Sequence, residues 1–167
     1  MTLRVPLMVR IAALVVGTTG LYTYIGQLVP QKQVLPPQVI ELPDDLSTQD
    51  MIPVGQQIFQ GKGLCSTCHT IGKGSSAGLR FPDLDGIGSR AATRIAGQSD
   101  LEYLGQSLYE PDSFVVPGFN PGMPAMNKPP IELTDQEILA VIAYLQSLGG
   151  TPSVTMQTKL RWVEGGS

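Results

Sequence analysis

Cys65-Ser66-Thr67-Cys68-His69 is the stretch that decides the fold of this 167-residue chain. Its C-x-x-C-H spacing is the attachment signature of a c-type haem. In a helical turn, positions i, i+3 and i+4 share one face, so each cysteine can bond one haem vinyl group. The same geometry brings His69 under the iron as its proximal ligand. The sequence therefore predicts one covalently attached haem c.

Two other uses of closely spaced cysteines do not suit this chain. A thioredoxin-like pair belongs next to a βαβ pattern, and no such pattern is visible in the sequence. A structural zinc site takes four ligands, whereas the chain contains two cysteines and one histidine. Two cysteines also exclude a disulfide framework.

The charge balance bears on solubility and on partners. Only 15% of the residues are charged, which is low for a wholly soluble protein and indicates a membrane segment. Eleven basic and fourteen acidic residues give a net charge of −3. A nucleic-acid partner requires a basic face, so none is expected.

The N-terminus supplies that membrane segment. The nineteen residues from Ile11 to Val29 carry no charge. As a helix they span about 28 Å, close to the thickness of a hydrocarbon core. We therefore assign residues 1–30 to a short stub and one transmembrane helix. Arg4 and Arg10 precede most of the apolar run, so the positive-inside rule places the N-terminus in the cytoplasm of a bacterial cell and the haem segment on the periplasmic side.

A cleaved signal peptide is the alternative for this segment. The run lacks a clear A-x-A cleavage site and is long for a signal peptide, which favours a retained anchor. Residues 31–50 then form a proline-rich linker, because Pro36, Pro37 and Pro43 prevent a long helix. This linker is either a mobile tether or a strap lying on a partner. Its apolar residues favour the strap: Val34, Leu35, Val39, Ile40 and Leu42.

Helical signals dominate residues 51–150. Ser99 and Glu102 form a capping box before one helix, and Thr134 and Glu137 form another before the last helix. The tail, residues 151–167, carries the only tryptophan, Trp162. This side chain either anchors the tail on a partner or a membrane, or packs back on its own domain.

The sequence around the haem motif resembles class I cytochromes c over roughly residues 53–149. The resemblance rests on Gly55-x-x-x-Phe59, on Tyr144 in the last helix, and on Phe81-Pro-Asp-Leu-Asp-Gly-Ile-Gly-Ser-Arg90. The third stretch is similar to the family pattern G-P-x-L-x-G-x-x-x-R, with Phe81 where glycine is usual. The resemblance implies an all-α class I cytochrome c fold around one covalent haem, here preceded by the transmembrane helix.

The resemblance also implies roles for individual residues. The carbonyl oxygen of Pro82 would accept the Nδ1–H of His69 and so orient that ligand. Arg90 matches the arginine that often pairs with a haem propionate. The alternatives are that Arg90 is a solvated surface arginine, or that Arg94 pairs with the same carboxylate. Gly55 would let the first and last helices of the domain cross closely.

The second axial ligand must be sought among the methionines, because the chain has no other histidine. Four of them are badly placed, in the membrane segment or before it, ahead of the first domain helix, or in the tail: Met1, Met8, Met51 and Met156. Met123 and Met126 remain, in a proline-rich loop that can hold a thioether against iron. Class I cytochromes c commonly present the ligand as Met followed by Pro, which favours Met123 over Met126. The competing role for either is to fill a gap in the core.

A haem with two axial ligands leaves no open iron position, which predicts one-electron transfer rather than catalysis. We therefore expect an electron carrier with no small-molecule substrate. Its expected partners are the membrane, redox proteins, and other subunits of a respiratory or photosynthetic membrane complex. The methionine loop and last helix are similar in style to monohaem subunits of alternative complex III and of haem–copper and nitric-oxide reductases. The alternatives are a free membrane-tethered shuttle and a haem enzyme or gas sensor with an open iron.

Overall fold

The computed structural model describes residues 6–29, 42–73 and 78–163. These residues contain five α-helices and three single 3-10 turns, and no strand. The helices are α1 (Leu7–Leu28), α2 (Thr48–Gln60), α3 (Ile87–Arg90), α4 (Asp100–Tyr109) and α5 (Asp135–Ser147). The 3-10 turns are Cys65–Thr67, Ala91–Thr93 and Pro111–Ser113. The chain divides into two compact units, Met1–Gln38 and Val39–Ser167, which are described one after the other.

The first unit is built on α1. This helix has 22 residues, none of them buried, and a length of about 33 Å. Among the described residues it is the one helix long and apolar enough to cross a membrane. By length and composition it is suited to be a membrane anchor or a signal sequence. Arg4 lies outside the described residues.

The second unit is organised around α5, whose residues from Glu137 to Gln146 are all buried. Gly55 of α2 lies against the backbone of α5, where an added Cβ would overlap the carbonyl oxygen of Ala140 and lie 2.9 Å from the Cβ of Tyr144. Beside this crossing the rings of Phe59 and Tyr144 meet edge to face, with centroids 5.5 Å apart. The predicted close crossing of the first and last domain helices is confirmed.

Side-chain caps begin both long C-terminal helices. Ser99 and Glu102 form a reciprocal capping box at the start of α4, and Thr134 and Glu137 do the same for α5, as predicted. Glu137 is buried, and its carboxylate accepts hydrogen bonds from Lys62 Nζ at 2.7 and 2.8 Å. This ion pair ties the turn after α2 to the first turn of α5.

The helical domain starts earlier than the predicted boundary at residue 51. Helix α2 begins at Thr48, and Ser47 caps it by accepting a hydrogen bond from the backbone N–H of Asp50. Met51 lies inside this helix, not before it, and is fully buried. Leu42 is also buried, and Gln136 donates to the Asp44 carboxylate at 2.6 Å. The last part of the predicted linker therefore lies on the domain, whereas Val34, Leu35, Val39 and Ile40 fall outside the described residues.

The tail packs on its own domain over residues 151–163. Val154, Met156 and Leu160 are buried. The ring of Trp162 stacks on Tyr109, with centroids 5.7 Å apart and planes 8° from parallel. Of the two roles considered for this tryptophan, the structure shows packing against its own domain.

Candidate functional site

A large apolar cavity lies in the domain beside the haem-attachment motif. It holds about 990 Å³ of space outside the protein atoms, part of it continuous with solvent. Helices α4 and α5 and the segment after α4 supply most of its apolar lining: Tyr103, Leu104, Leu108, Phe114, Val115, Val116, Phe119, Val141 and Leu145. The predicted site residues that line it are Cys65, His69, Pro82, Arg90, Arg94 and Met123.

The haem-attachment motif forms a tight turn at the cavity wall. Cys65 opens the 3-10 turn, and its carbonyl oxygen accepts from the backbone N–H of Cys68 at 3.1 Å and of His69 at 2.8 Å. Both thiols are free, with Cys65 buried and Cys68 exposed. Burial raises the pKa of the Cys65 thiol to about 11. Before haem attachment this thiol is therefore protonated at neutral pH, as expected of a buried cysteine in an apolar wall.

His69 is oriented by a backbone carbonyl. Its Nδ1 lies 2.9 Å from the carbonyl oxygen of Pro82, the pair of atoms that the resemblance to class I cytochromes c joins. With Nδ1 acting as donor, the lone pair is on Nε2, which is the tautomer a metal ligand requires. The chain segment that carries Pro82 therefore sets both the orientation and the tautomer of the imidazole.

Met123 and Met126 occupy different environments. Met123 lines the cavity and is partly exposed. Met126 is not among the described residues that line it. Instead Met126 is buried, its backbone N–H donates to Leu108, and its carbonyl accepts from Leu133, both at 2.8 Å. Met51 and Met156 are buried away from the cavity lining. Only Met123 thus shares a cavity with His69 among the methionines of the described domain.

A family model described as Cytochrome c matches residues 53–149, more than half of the chain. The chain belongs to the cytochrome c family. Membership implies electron transfer through a c-type haem, and members are generally electron carriers, not enzymes. None of the curated proteins compared with this cytochrome c matches its sequence.

The chemistry of the cavity suits a covalent haem. The Cys65 thiol and the His69 imidazole line the cavity, and the remaining lining is mainly apolar. Cys68 belongs to the same turn but is exposed and is not part of the described lining. A haem also brings two propionates, which need cationic or hydrogen-bonding partners. The Nε of Arg94 is buried and has no hydrogen-bond partner among the described residues, and Arg94 lines the cavity. This unsatisfied donor is what a propionate would complete.

Unlike Arg94, Arg90 already has hydrogen-bond partners for its guanidinium group. Its guanidinium donates to the carbonyl oxygens of Asp83, at 2.6 Å, and of Asp85. Burial and the nearby Arg94 guanidinium lower the pKa of Arg90. Arg90 therefore braces the segment that follows Pro82, while it still lines the cavity.

Asp83 is a site residue that the sequence did not single out. It is 4% exposed. One carboxylate oxygen accepts from the Thr70 hydroxyl at 2.5 Å and the Lys73 N–H at 3.1 Å, and the other accepts from the Asp85 N–H at 2.8 Å. Burial acts to raise its pKa, but these hydrogen bonds and the charge of Arg90 outweigh burial and lower it. Asp83 therefore ties the chain after His69 to the chain after Pro82.

Proposed function

We propose that this cytochrome c is a single-pass, membrane-anchored electron carrier with one haem held by Cys65, Cys68, His69 and Met123. It works on the periplasmic side of a bacterial membrane, as a subunit of a respiratory or photosynthetic complex such as one similar to alternative complex III. The observation that carries the ligand assignment is that His69 and Met123 line one apolar cavity.

The protein residues have separable tasks in this proposal. Cys65 and Cys68 hold the haem as thioethers, and Pro82 keeps the His69 imidazole in the ligating tautomer. Arg94 and Arg90 accommodate the propionates. The bound haem supplies an iron that gains or loses one electron. The apolar wall would shield a bound haem from water, and ligation by the Met123 thioether would raise the haem reduction potential above that of a bis-histidine haem.

The ligand assignment is tested by replacing each loop methionine in turn. We expect the oxidised wild-type protein to show a methionine-to-iron charge-transfer band. Met123→Ala should abolish the band, whereas Met126→Ala should retain it at the cost of stability, because Met126 is a buried core residue. A band that survives Met123→Ala and is absent from Met126→Ala would assign the ligand to Met126. No band in the wild type would favour a haem enzyme or gas sensor with an open iron.

Helix α1 supports membrane anchorage, which a complex subunit and a tethered shuttle would share, and the Trp162 tail is packed on its own domain. The test is extraction of native membranes with a mild detergent, followed by sizing with haem detection. We expect the covalent haem of this polypeptide to migrate with large, multi-subunit material. If the polypeptide instead migrates by itself, at the mass of one chain plus a micelle, it is a tethered shuttle and not a subunit of a complex.

A further inference from the structure

Phe81 is the position at which this chain departs from the pattern that its haem segment otherwise shares with class I cytochromes c. Glycine is usual there, and this chain carries a phenylalanine. The Phe81 side chain is partly buried and lines the cavity together with His69 and Pro82. A glycine would leave this part of the wall without a side chain. The aromatic ring therefore adds a contact to the cavity that the usual pattern does not supply.

The Phe81 ring packs against the imidazole of His69. The two ring centroids lie 6.1 Å apart, with the planes tilted by 54°, which is within the range of favourable aromatic pairs. On the neighbouring residue, the carbonyl oxygen of Pro82 lies 2.9 Å from His69 Nδ1. Two consecutive residues thus contact the same imidazole, one through a side chain and the other through the backbone.

These two contacts restrain the imidazole in different ways. The hydrogen bond to Pro82 fixes the tautomer and the direction of Nδ1. It leaves the imidazole free to pivot about the line that joins Nδ1 to the carbonyl oxygen. A second ring packed against the imidazole opposes that pivot. The Phe81 contact therefore restrains the plane of the His69 ring, which the hydrogen bond alone does not.

The segment that carries Phe81 is held by its backbone. Pro82 has a fixed φ, and a proline restricts the residue before it to extended conformations. Asp83 follows, buried and bonded to the Thr70 hydroxyl. The guanidinium of Arg80 lies 5.5 Å from the centroid of the Phe81 ring, but at an exposed site such a contact is weak. The Phe81 ring is thus placed by the backbone more than by Arg80.

We propose that Phe81 is a positioning residue for the haem, whose ring fixes the plane of the His69 imidazole and shields the His69–Pro82 hydrogen bond from water. This inference rests on the proposed function, because it takes His69 as the axial ligand. The plane of an axial imidazole sets how its orbitals overlap with those of the metal. Phe81 thereby influences the electronic structure of the haem through His69 and takes no part in the covalent attachment.

The experiment uses the untagged full chain with its covalent haem, in a mild detergent. The chain contains one histidine, so isotope labelling of histidine nitrogen reports on His69 alone in NMR spectra. The hyperfine shifts of the haem methyl groups in the oxidised protein report the orientation of the imidazole plane. Exchange of the Nδ1 proton with deuterium in the reduced protein reports the shielding from water. The methionine-to-iron band and the melting temperature report ligation and folding.

Three substitutions at Phe81 separate the ring from its volume. Phe81→Ala removes the ring, Phe81→Leu keeps most of the apolar volume, and Phe81→Tyr keeps the ring at a position that is partly exposed. Ile71→Ala is the matched control, because Ile71 is apolar, 38% exposed, two residues from His69 and absent from the described cavity lining. Arg80→Gln is a second control, which removes the cation and leaves the ring in place.

We expect Phe81→Ala to change the pattern of haem methyl shifts and to speed exchange of the His69 Nδ1 proton by about two- to tenfold, the equilibrium effect of losing one aromatic pair. Phe81→Leu should change both in the same direction by less. Phe81→Tyr, Ile71→Ala and Arg80→Gln should match the wild type. The methionine-to-iron band should persist in every variant, because Met123 lies on a different segment of the wall.

The outcomes separate the positioning role from the proposed function. Wild-type methyl shifts and wild-type exchange in both Phe81→Ala and Phe81→Leu would overturn the positioning role and leave the proposed function intact. Equal changes in Ile71→Ala and Phe81→Ala, or a Phe81→Tyr variant as altered as Phe81→Ala, would also overturn it, since the ring would not be the cause. If Phe81→Ala does not fold, Phe81→Leu and Phe81→Tyr decide by the same criteria. If the oxidised wild type shows no hyperfine shift at the His69 ring nitrogens, the proposed axial ligand is wrong and the inference fails with it.

Discussion

Asp83 shows how one buried side chain holds a ligand geometry from a distance. It joins the chain that follows His69 to the chain that carries Pro82, through Thr70 and the N–H groups of Lys73 and Asp85. Pro82 in turn accepts from His69 Nδ1. The position of the imidazole therefore depends on this carboxylate being ionised.

Asp83→Asn should destabilise the protein in a pH-dependent way. The Asn amide places an N–H group against the hydrogen-bond donors that face the Asp83 carboxylate. We therefore expect the unfolding free energy to fall by about 1–3 kcal/mol at neutral pH. Because the folded state lowers the pKa of Asp83, its contribution is present above the ordinary carboxyl pKa and disappears as pH falls through the folded-state value. Denaturant unfolding at neutral and acid pH should thus show the variant and wild type converging in acid.

Asp45→Asn is the control for this charge change, because Asp45 is exposed. It should shift the unfolding free energy by less than about 0.5 kcal/mol at either pH. An Asp83→Asn variant that stays below the wild type by the same amount at both pH values would show that packing, and not ionisation, is what Asp83 contributes.

Arg94 lines the cavity with a buried Nε that a haem propionate would complete. Arg94→Gln should lower the reduction potential, because a partly buried cation beside a propionate favours the reduced, less positive haem. Arg80→Gln makes the same charge change at an exposed side chain, where water screens it, and should leave the potential nearly unchanged. Redox titration measures the reduction potential of each variant. A lower potential in Arg90→Gln, with an unchanged potential in Arg94→Gln, would assign the propionate contact to Arg90.

Residues near the haem motif differ in how far sequence alone predicted them. The His69–Pro82 contact could be anticipated because the resemblance carries a fixed pattern from Phe81 to Arg90. Asp83 lies inside that pattern, yet its burial depends on where Thr70 and Lys73 fold back, which no local spacing encodes. Arg94 is preferred to Arg90 as the partner of a haem propionate only because of tertiary contacts, since the guanidinium of Arg90 is held by backbone carbonyls.

At the scale of elements, the crossing of α2 and α5 is the contact on which the domain depends. Gly55→Ala should lower the unfolding free energy by more than about 3 kcal/mol, because its Cβ meets the backbone of Ala140, which cannot turn aside. Gln56→Ala, at an exposed position of the same helix, should stay within about 0.5 kcal/mol of wild type. Equal stability of the two variants in denaturant unfolding would contradict the close crossing.

The sequence predicted a helix boundary correctly where the local capping signal was strong. The capping boxes placed the starts of α4 and α5 correctly because both partners of each box lie within four residues. Helix α2 begins inside the predicted linker, since its cap at Ser47 follows a proline-rich stretch that argued against helix. The close approach of Gly88 to Gln146 gave no local signal, because the crossing partner lies far along the chain.

For the whole domain, the buried side chain of Gln146 is one of the contacts that hold the tail on the helices. Gln146 is buried, and its amide oxygen accepts from the N–H groups of Ser153 and Val154 at 3.0 and 3.3 Å. Its amide nitrogen donates to Asp100 and Ser153 at 2.7 and 3.0 Å. Helix α5, the start of α4 and the tail therefore meet at a single glutamine.

Ending the chain after Gly150 should consequently lower the unfolding free energy by more than about 3 kcal/mol, from lost burial of Val154, Met156 and Leu160 and from the unpaired Gln146 amide. None of the described tail residues lines the haem cavity. At low temperature the shortened protein should therefore be folded and show the same methionine-to-iron band as the wild type. On heating, it should lose the band at a lower temperature than the wild type does. Trp162→Ala removes the stacking on Tyr109 and leaves Gln146 paired. Its melting temperature should therefore lie between those of the shortened protein and the wild type. A shortened chain with the wild-type melting temperature would show that the tail rests on the domain without stabilising it, and loss of the band in the folded state would tie the tail to iron ligation.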